Sequence, residues 1–225
     1  MGYGIGFAES PECFERFTSF RSNMSEYTVN SIVHMWKKQS DIIPRLESGI
    51  NVLDLGCGPG IFTNVLAQRF PNSTFVGLDY SDAAIEMSNR ELADRGLSNV
   101  TFVKGDAHKL PEDWTADFDM VFVYDVLHDL PDPHKTLKQI HRILKPDGFL
   151  SLIDFGFHSD PVDNAGDKTA AMFYSVSIFT CLANSMTEEP RVGYGSCWGR
   201  EEIQTAVLRE IFTTINNIVF IFTKG

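Results

Sequence analysis

Three acidic residues stand at or just after the ends of apolar runs: Asp54 before Gly56, Cys57, Gly58, Pro59 and Gly60, Asp79 before Tyr80, and Asp106 between Gly105 and Ala107. Alternating glycines after a strand let the backbone approach a ligand closely, and the helix that follows turns its positive end towards it. Phosphate is not the ligand this turn indicates. The dinucleotide fingerprint needs a glycine where Ile61 stands, and the Gly-Lys-Ser/Thr ending of a phosphate loop is absent. Asp79, about 20 residues beyond the turn, is placed to accept from ribose hydroxyls. Asp106 is placed to accept from an exocyclic adenine amine, with the Ala107 N–H as a donor. Together they frame an adenosine without a phosphate.

A second group of residues has proton chemistry. Asp125 and His128 follow the apolar run that ends at Tyr124, and His158 follows the next such run. Each is a candidate base, with a structural role more expected for His128 than for His158. Cys57 lacks a neighbouring histidine or lysine and reads as a small turn residue rather than a nucleophile. The four cysteines (Cys13, Cys57, Cys181, Cys197) form no C-x-x-C pair, so neither a metal site nor a disulfide framework is expected.

The elements that must position these residues alternate between strand-like and helix-like segments from Gly49 onward, the pattern of a parallel sheet covered on both faces. Strands are expected over Asn51–Leu55, Thr74–Leu78, Val100–Val103, Phe118–Tyr124 and Gly148–Asp154, several as continuous apolar runs suited to double burial. Helices are expected over Ile61–Arg69, Asp82–Arg95 and Pro133–Leu144, then Lys168–Asn184 and Arg200–Arg209. At the end, Thr213–Ile215 and Ile218–Thr223 flank Asn216-Asn217, which predicts an antiparallel hairpin at the sheet edge. Residues 1–48 read as two or three helices forming an N-terminal cap, with Phe17, Phe20, Met24 and Tyr27 as a face expected to close over the ligand. Residues 49–225 form the ligand-binding domain, with a helical lid insertion at about 163–210.

Composition narrows the partners. The chain has 225 residues, 19 basic against 30 acidic, and a formal charge of -11, which repels phosphate backbones. No nucleic-acid partner is expected. No apolar run reaches the roughly 18 residues of a membrane span, and the amino terminus has no signal-peptide pattern, so a cytoplasmic chain without membrane association is expected.

In order and spacing, Asp54-x-Gly56-x-Gly58-x-Gly60, Leu78-Asp79, Gly105-Asp106-Ala107 and Tyr124-Asp125-x-Leu127-His128-x-Leu130 resemble the class I S-adenosylmethionine-dependent methyltransferases. The resemblance implies a Rossmann-like three-layer αβα sandwich with a seven-stranded, mostly parallel sheet containing one antiparallel strand. It implies S-adenosylmethionine as cofactor, S-adenosylhomocysteine as product, and an enclosed small-molecule acceptor. The cofactor-binding set it implies runs from Tyr27 and Asp54 through Gly56, Cys57, Gly58 and Gly60, then Asp79 and Tyr80, Gly105, Asp106 and Ala107, to Tyr124 and Asp125. Asp54 and Tyr27 suit the sulfonium and ammonium through charge and cation–π attraction.

Ser185-Met186-Thr187 and Gly195-x-Cys197-Trp198-Gly199-Arg200 are similar to stretches of a subgroup in which a winged-helix domain precedes the catalytic one. The sequence begins at Met1-Gly2-Tyr3 as though at the linker after such a domain, which leaves the oligomeric state open. A binding module that keeps the cofactor site without transfer activity shares every cofactor residue. A nicotinamide-dependent oxidoreductase is disfavoured by Ile61.

Overall fold

The structure, a computed structural model, describes residues 25–38, 41–211 and 218–223. Six strands form one sheet in the order β3-β2-β1-β4-β5-β6: β1 (Asn51–Leu55), β2 (Thr74–Asp79), β3 (Val100–Lys104), β4 (Phe118–Tyr124), β5 (Leu144–Phe155) and β6 (Ile218–Thr223). Every pairing is parallel. The chain builds outwards from β1 through β3, then returns to the other side of β1 with β4. This reversal opens a crevice beyond the carboxyl ends of β1 and β4, where ligands bind in open α/β sheets.

The helices are α1 (Ser25–Trp36), α2 (Ile42–Ser48), α3 (Ile61–Arg69), α4 (Asp82–Arg95), α5 (Pro133–Ile143), α6 (Lys168–Phe179), α7 (Cys181–Ser185) and α8 (Arg200–Ile211). Their boundaries follow local chemistry. Ser81 caps α4 by accepting from the Ala84 N–H at 3.3 Å, and Gly96 ends it in the left-handed conformation. Asp132 caps α5 by accepting from the Lys135 N–H, with Pro133 at the first helical position.

Alternation along the strands sorts the core into two faces. Met120 and Phe122 of β4 and Phe149 and Ile153 of β5 pack with α1, α2 and α3. Val121, Val123, Leu150 and Leu152 pack with Leu137 and Ile140 of α5 and Ile203 and Val207 of α8. In α1, Val29, Ile32, Val33 and Trp36 are buried, and the Trp36 Nε1–H donates to Ser151 Oγ at 2.9 Å. The described part of the N-terminal region is therefore packed on the sheet face. Phe17, Phe20 and Met24 lie outside the described residues, and Tyr27 is 74% exposed.

The strand count and one helix differ from expectation, and the expected hairpin falls partly outside the described residues. Among the described residues the sheet has six strands and none is antiparallel. Ile218–Thr223 runs parallel to β5, pairing Leu150 with Ile218 and Phe155 with Thr223. The physical reason is the connection: α8 carries the chain back across the sheet, and a helical crossover returns a strand in the parallel sense. The other arm of the expected hairpin, 213–215, and its turn lie outside the described residues. The helix expected over Lys168–Asn184 breaks at Thr180, whose φ of -125° and ψ of -90° leave helical space, and whose hydroxyl donates back to the Val176 carbonyl at 3.0 Å. The insertion after β5 is correspondingly a 3-10 turn (Pro161–Asn164), two short helices and a glycine-rich loop before α8.

Candidate active site

The turn after β1 is fastened to the end of β2. The N–H groups of Gly56 and Cys57 both donate to the Leu78 carbonyl, at 2.8 and 3.0 Å. The next N–H, of Gly58, donates to Asp79 Oδ2 at 2.8 Å. Asp79 Oδ1 accepts from the Ser81 N–H at 2.9 Å, and the Asp79 carbonyl accepts from Gly105 at 2.9 Å. Asp79 thus ties the first, second and third strand exits together. Burial pushes its carboxyl above the usual carboxylate range, and the backbone hydrogen bonds pull it back.

Two glycines of the turn have different reasons to be glycine. At Gly60, with φ of +70°, an added Cβ would lie 2.5 Å from the Phe102 ring and 2.8 Å from Ser88 Cβ. That glycine is required by the close approach of α3 to β3 and α4. At Gly58, with φ of +53°, an added Cβ meets nothing within 4 Å. The crest of the turn therefore borders open space.

Beneath the turn, Asp54 is 4% exposed and accepts from the Thr63 hydroxyl at 2.5 Å. Burial raises its carboxyl to about 7, against the lowering effect of the Thr63 hydrogen bond. Cys57 is buried and its thiol is pushed up by burial and by the Asp54 and Asp79 charges, the opposite of what a nucleophile needs.

Asp106 Oδ1 accepts from the His108 N–H at 2.8 Å, which fixes the loop after β3, while the Asp106 side chain keeps 46% of its surface exposed. Ala107 lies beside it, and Tyr80 is 60% exposed. Tyr124, at the end of β4, has its ring centroid 4.9 Å from that of Phe62 in α3, so it bridges the exits of β1 and β4.

Beyond Tyr124 the character changes from backbone to charged side chains. His128 is 1% exposed; its Nδ1 lies 2.8 Å from Asp154 Oδ1 at the end of β5. Its Nε2 lies 3.6 Å from Asp125 Oδ1 and 3.3 Å from Asp129 Oδ1, and the Cys181 thiol of α7 is within hydrogen-bonding reach of both His128 and Asp129. Burial lowers the His128 imidazole, but the Asp154 and Asp129 carboxylates more than offset it, leaving it well above its ordinary value. Asp125 has a φ of +60°, the left-handed region that non-glycine residues seldom occupy outside functional turns.

His158 stands elsewhere, at the start of α8. Its Nδ1 lies 3.0 Å from Glu201 Oε1, the Arg200 guanidinium is 2.9 Å from its Nε2, and its side chain is 39% exposed. The aromatic rings of Phe155, Phe157 and Phe173 cluster beside His128, with centroids 4.4 Å apart for Phe155–Phe173 and 5.4 Å for His128–Phe155.

The structure places Asp54, Gly56, Cys57, Gly58, Gly60, Asp79, Gly105, Asp106, Ala107, Tyr124 and Asp125 at the exits of β1 to β4, and leaves Tyr27 and Tyr80 as exposed side chains. Sequence reasoning missed Thr63, Asp129, Cys181 and the pairing of Asp154 with His128. Thr63 was legible as a hydroxyl in the first turn of the helix after the glycines. Cys181 carried no signal, because only the fold of α7 against the β4 exit brings it near.

Comparison with known proteins gives a consistent picture. Residues 46–211 match a family described as a methyltransferase domain. Among curated relatives, the demethylmenaquinone methyltransferase of Listeria monocytogenes serotype 4a is 29% identical over 142 residues, covering 63% of this chain and 60% of its own. The chain thus spans less than two thirds of the relatives it matches. A putative methyltransferase from Bacillus halodurans C-125 superimposes with a TM-score of 0.61 at 19% identity over 80% of this chain and 68% of that one. A SAM-dependent methyltransferase from Aquifex aeolicus does so with a TM-score of 0.51 at 21% identity, over 61% of this chain and 68% of that one. Among the described residues no helix is long and apolar enough to cross a membrane.

Proposed function

Because the chain belongs to the class I S-adenosylmethionine-dependent methyltransferase family, we propose that it transfers the methyl group of that cofactor to a small, flat, largely apolar acceptor in the cytoplasm. The observation that carries this reading is the cradle over Gly58, open above and locked below by Asp79. When bound, S-adenosylmethionine supplies an electrophilic methyl on a sulfonium. The residues of the chain hold and align. In this reading the glycine turn takes the methionyl part, Asp79 the ribose through lone pairs left over from its two backbone bonds, and Asp106 with Ala107 the adenine.

Asp54 and Asp125 give the crevice negative charge that suits a cationic cofactor. The Phe155, Phe157 and Phe173 rings give the acceptor an aromatic wall, which favours a planar ring such as the quinone-type acceptor named for the Listeria relative. Alignment of donor and acceptor supplies up to about 7 to 11 kcal/mol in favourable cases, so a dedicated base is optional. The contact of His158 with the Glu201 carboxylate and the hydrogen bond it receives from the Arg200 guanidinium favour catalysis by alignment, with His158 on the rim.

Calorimetry with S-adenosylmethionine and S-adenosylhomocysteine, followed by transfer of labelled methyl to a panel of reduced quinones, phenols and amines, tests the reading. Heat with a nicotinamide dinucleotide and none with S-adenosylhomocysteine would overturn the cofactor. Binding without transfer to any acceptor would leave a cofactor-binding module. A loss of about 10² or more in His158→Ala would assign it as a base.

A further inference from the structure

The cluster around His128 holds more negative charge than the mechanism uses. Asp125, Asp129 and Asp154 surround a single imidazole, and Asp154 is a buried side chain whose Oδ2 has no hydrogen-bond partner. Asp129 Oδ1 is also shut off from solvent without a hydrogen bond, although His128 Nε2 is 3.3 Å away. A single imidazolium offsets one of these charges, and the buried carboxylates beyond it are costly unless a further cation or donor meets them.

The two sides of the imidazole are not alike. Nδ1 donates to Asp154, whose Oδ1 is also held by the Phe155 N–H at 2.8 Å. A histidine whose Nδ1–H is anchored on a carboxylate turns Nε2 to the opposite side, where a metal ion that displaces the Nε2 proton would find its lone pair, the arrangement found behind metal-ligating histidines. On that side stand Asp129 and Cys181, and the ligand atoms of His128, Asp129 and Cys181 all lie within 4.8 Å of one another. Ligands bound tetrahedrally at about 2.0 to 2.3 Å are roughly 3.3 to 3.8 Å apart; the Nε2–Oδ1 separation of 3.3 Å already falls there, and the thiol must close in by at most about 1 Å.

We propose that His128 Nε2, Asp129 Oδ1 and Cys181 Sγ form a zinc site at the exit of β4, with Asp154 as the carboxylate behind the histidine. A nitrogen, a carboxylate oxygen and a thiolate together suit Zn2+ better than the all-oxygen preference of Mg2+ or Ca2+. Three protein ligands leave a fourth position, and the Asp125 carboxylate, 3.6 Å from Nε2, borders it. Binding displaces the thiol proton of Cys181 and any proton on Nε2 to solvent. The site depends on no step of methyl transfer, so it stands or falls separately from that function.

The full chain, stripped with a chelator and dialysed, is to be titrated with ZnCl2 and separately with CoCl2. One equivalent of Zn2+ is expected, together with an intense near-ultraviolet thiolate-to-cobalt band for Co2+. Cys181→Ser should abolish that band while the fold persists, Asp129→Asn should weaken Zn2+ at least tenfold, and Asp154→Asn should weaken it by about 10- to 100-fold. Cys197→Ser should leave the band unchanged. Absence of stoichiometric uptake by the wild-type chain would overturn the site and leave a buried imidazolium among carboxylates. So would a band that survives in Cys181→Ser, or one that disappears only in Cys197→Ser.

Discussion

The exits of β1 and β2 and the exits of β4 and β5 face the same crevice but are built by opposite means. The first is made of backbone: N–H groups of Gly56, Cys57 and Gly58 turned onto Leu78 and Asp79, with a contact at Gly60 that no side chain can share. The second is made of side chains: one buried histidine among three carboxylates and a thiol, walled by Phe155 and Phe173. A backbone cradle is indifferent to which apolar residues surround it, whereas a side-chain cluster changes with single substitutions.

The comparison can be broken most sharply at His128. His128→Ala removes the imidazole from among three carboxylates and is expected to lower stability by about 3 to 5 kcal/mol, read by denaturant unfolding. A loss below 1 kcal/mol would show that the cluster is not held together by charge. Gly60→Ala is next. A left-handed residue with Phe102 in the path of its Cβ should cost about 2 to 4 kcal/mol in the same measurement, and a near-neutral result would remove the steric account of the turn.

Asp79→Ala should weaken S-adenosylmethionine by roughly 1.5 to 3 kcal/mol, about 10- to 150-fold in the calorimetric Kd. An unchanged Kd with a lowered melting temperature would reduce Asp79 to a brace for the turn. The pH dependence of the same Kd concerns Asp54. The folded chain holds the Asp54 proton up to about pH 7, whereas an unfolded aspartate loses it near pH 4. Between these values stability therefore falls as pH rises. A cationic cofactor favours the ionised form, so affinity should rise about tenfold from pH 6 towards 8 and level off, and Asp54→Asn should flatten the curve. The smallest effect is expected at Gly58. Gly58→Ala pays about 1 to 2 kcal/mol in stability for its left-handed φ but meets no neighbour; its loss should appear mainly in cofactor binding, and a larger fall in stability than Gly60→Ala would reverse the assignment of the two glycines.

Much of the molecule was legible before any coordinates. Local pattern determined β1 to β4, the helices Ile61–Arg69 and Asp82–Arg95, and the glycine turn, because strand period, caps and glycines act within a few residues of themselves. The same locality explains why Asp54, Asp79 and Asp106 stood out: each belongs to a strand end, and parallel strands bring their carboxyl ends together without further instruction. What only the tertiary structure decided involves partners distant in sequence. The packing of Ile203, Val207 and Ile211 of α8 in the core carries the chain across the sheet, so β6 pairs parallel to β5, a partner that the local pattern of Ile218–Thr223 does not encode. His128 finds Asp154 26 residues later, Trp36 finds Ser151 115 residues later, and Cys181 meets Asp129 only through the fold of α7 over the β4 exit. No spacing rule encodes such meetings, because they depend on how the sheet and the helices stack rather than on the period of any one of them.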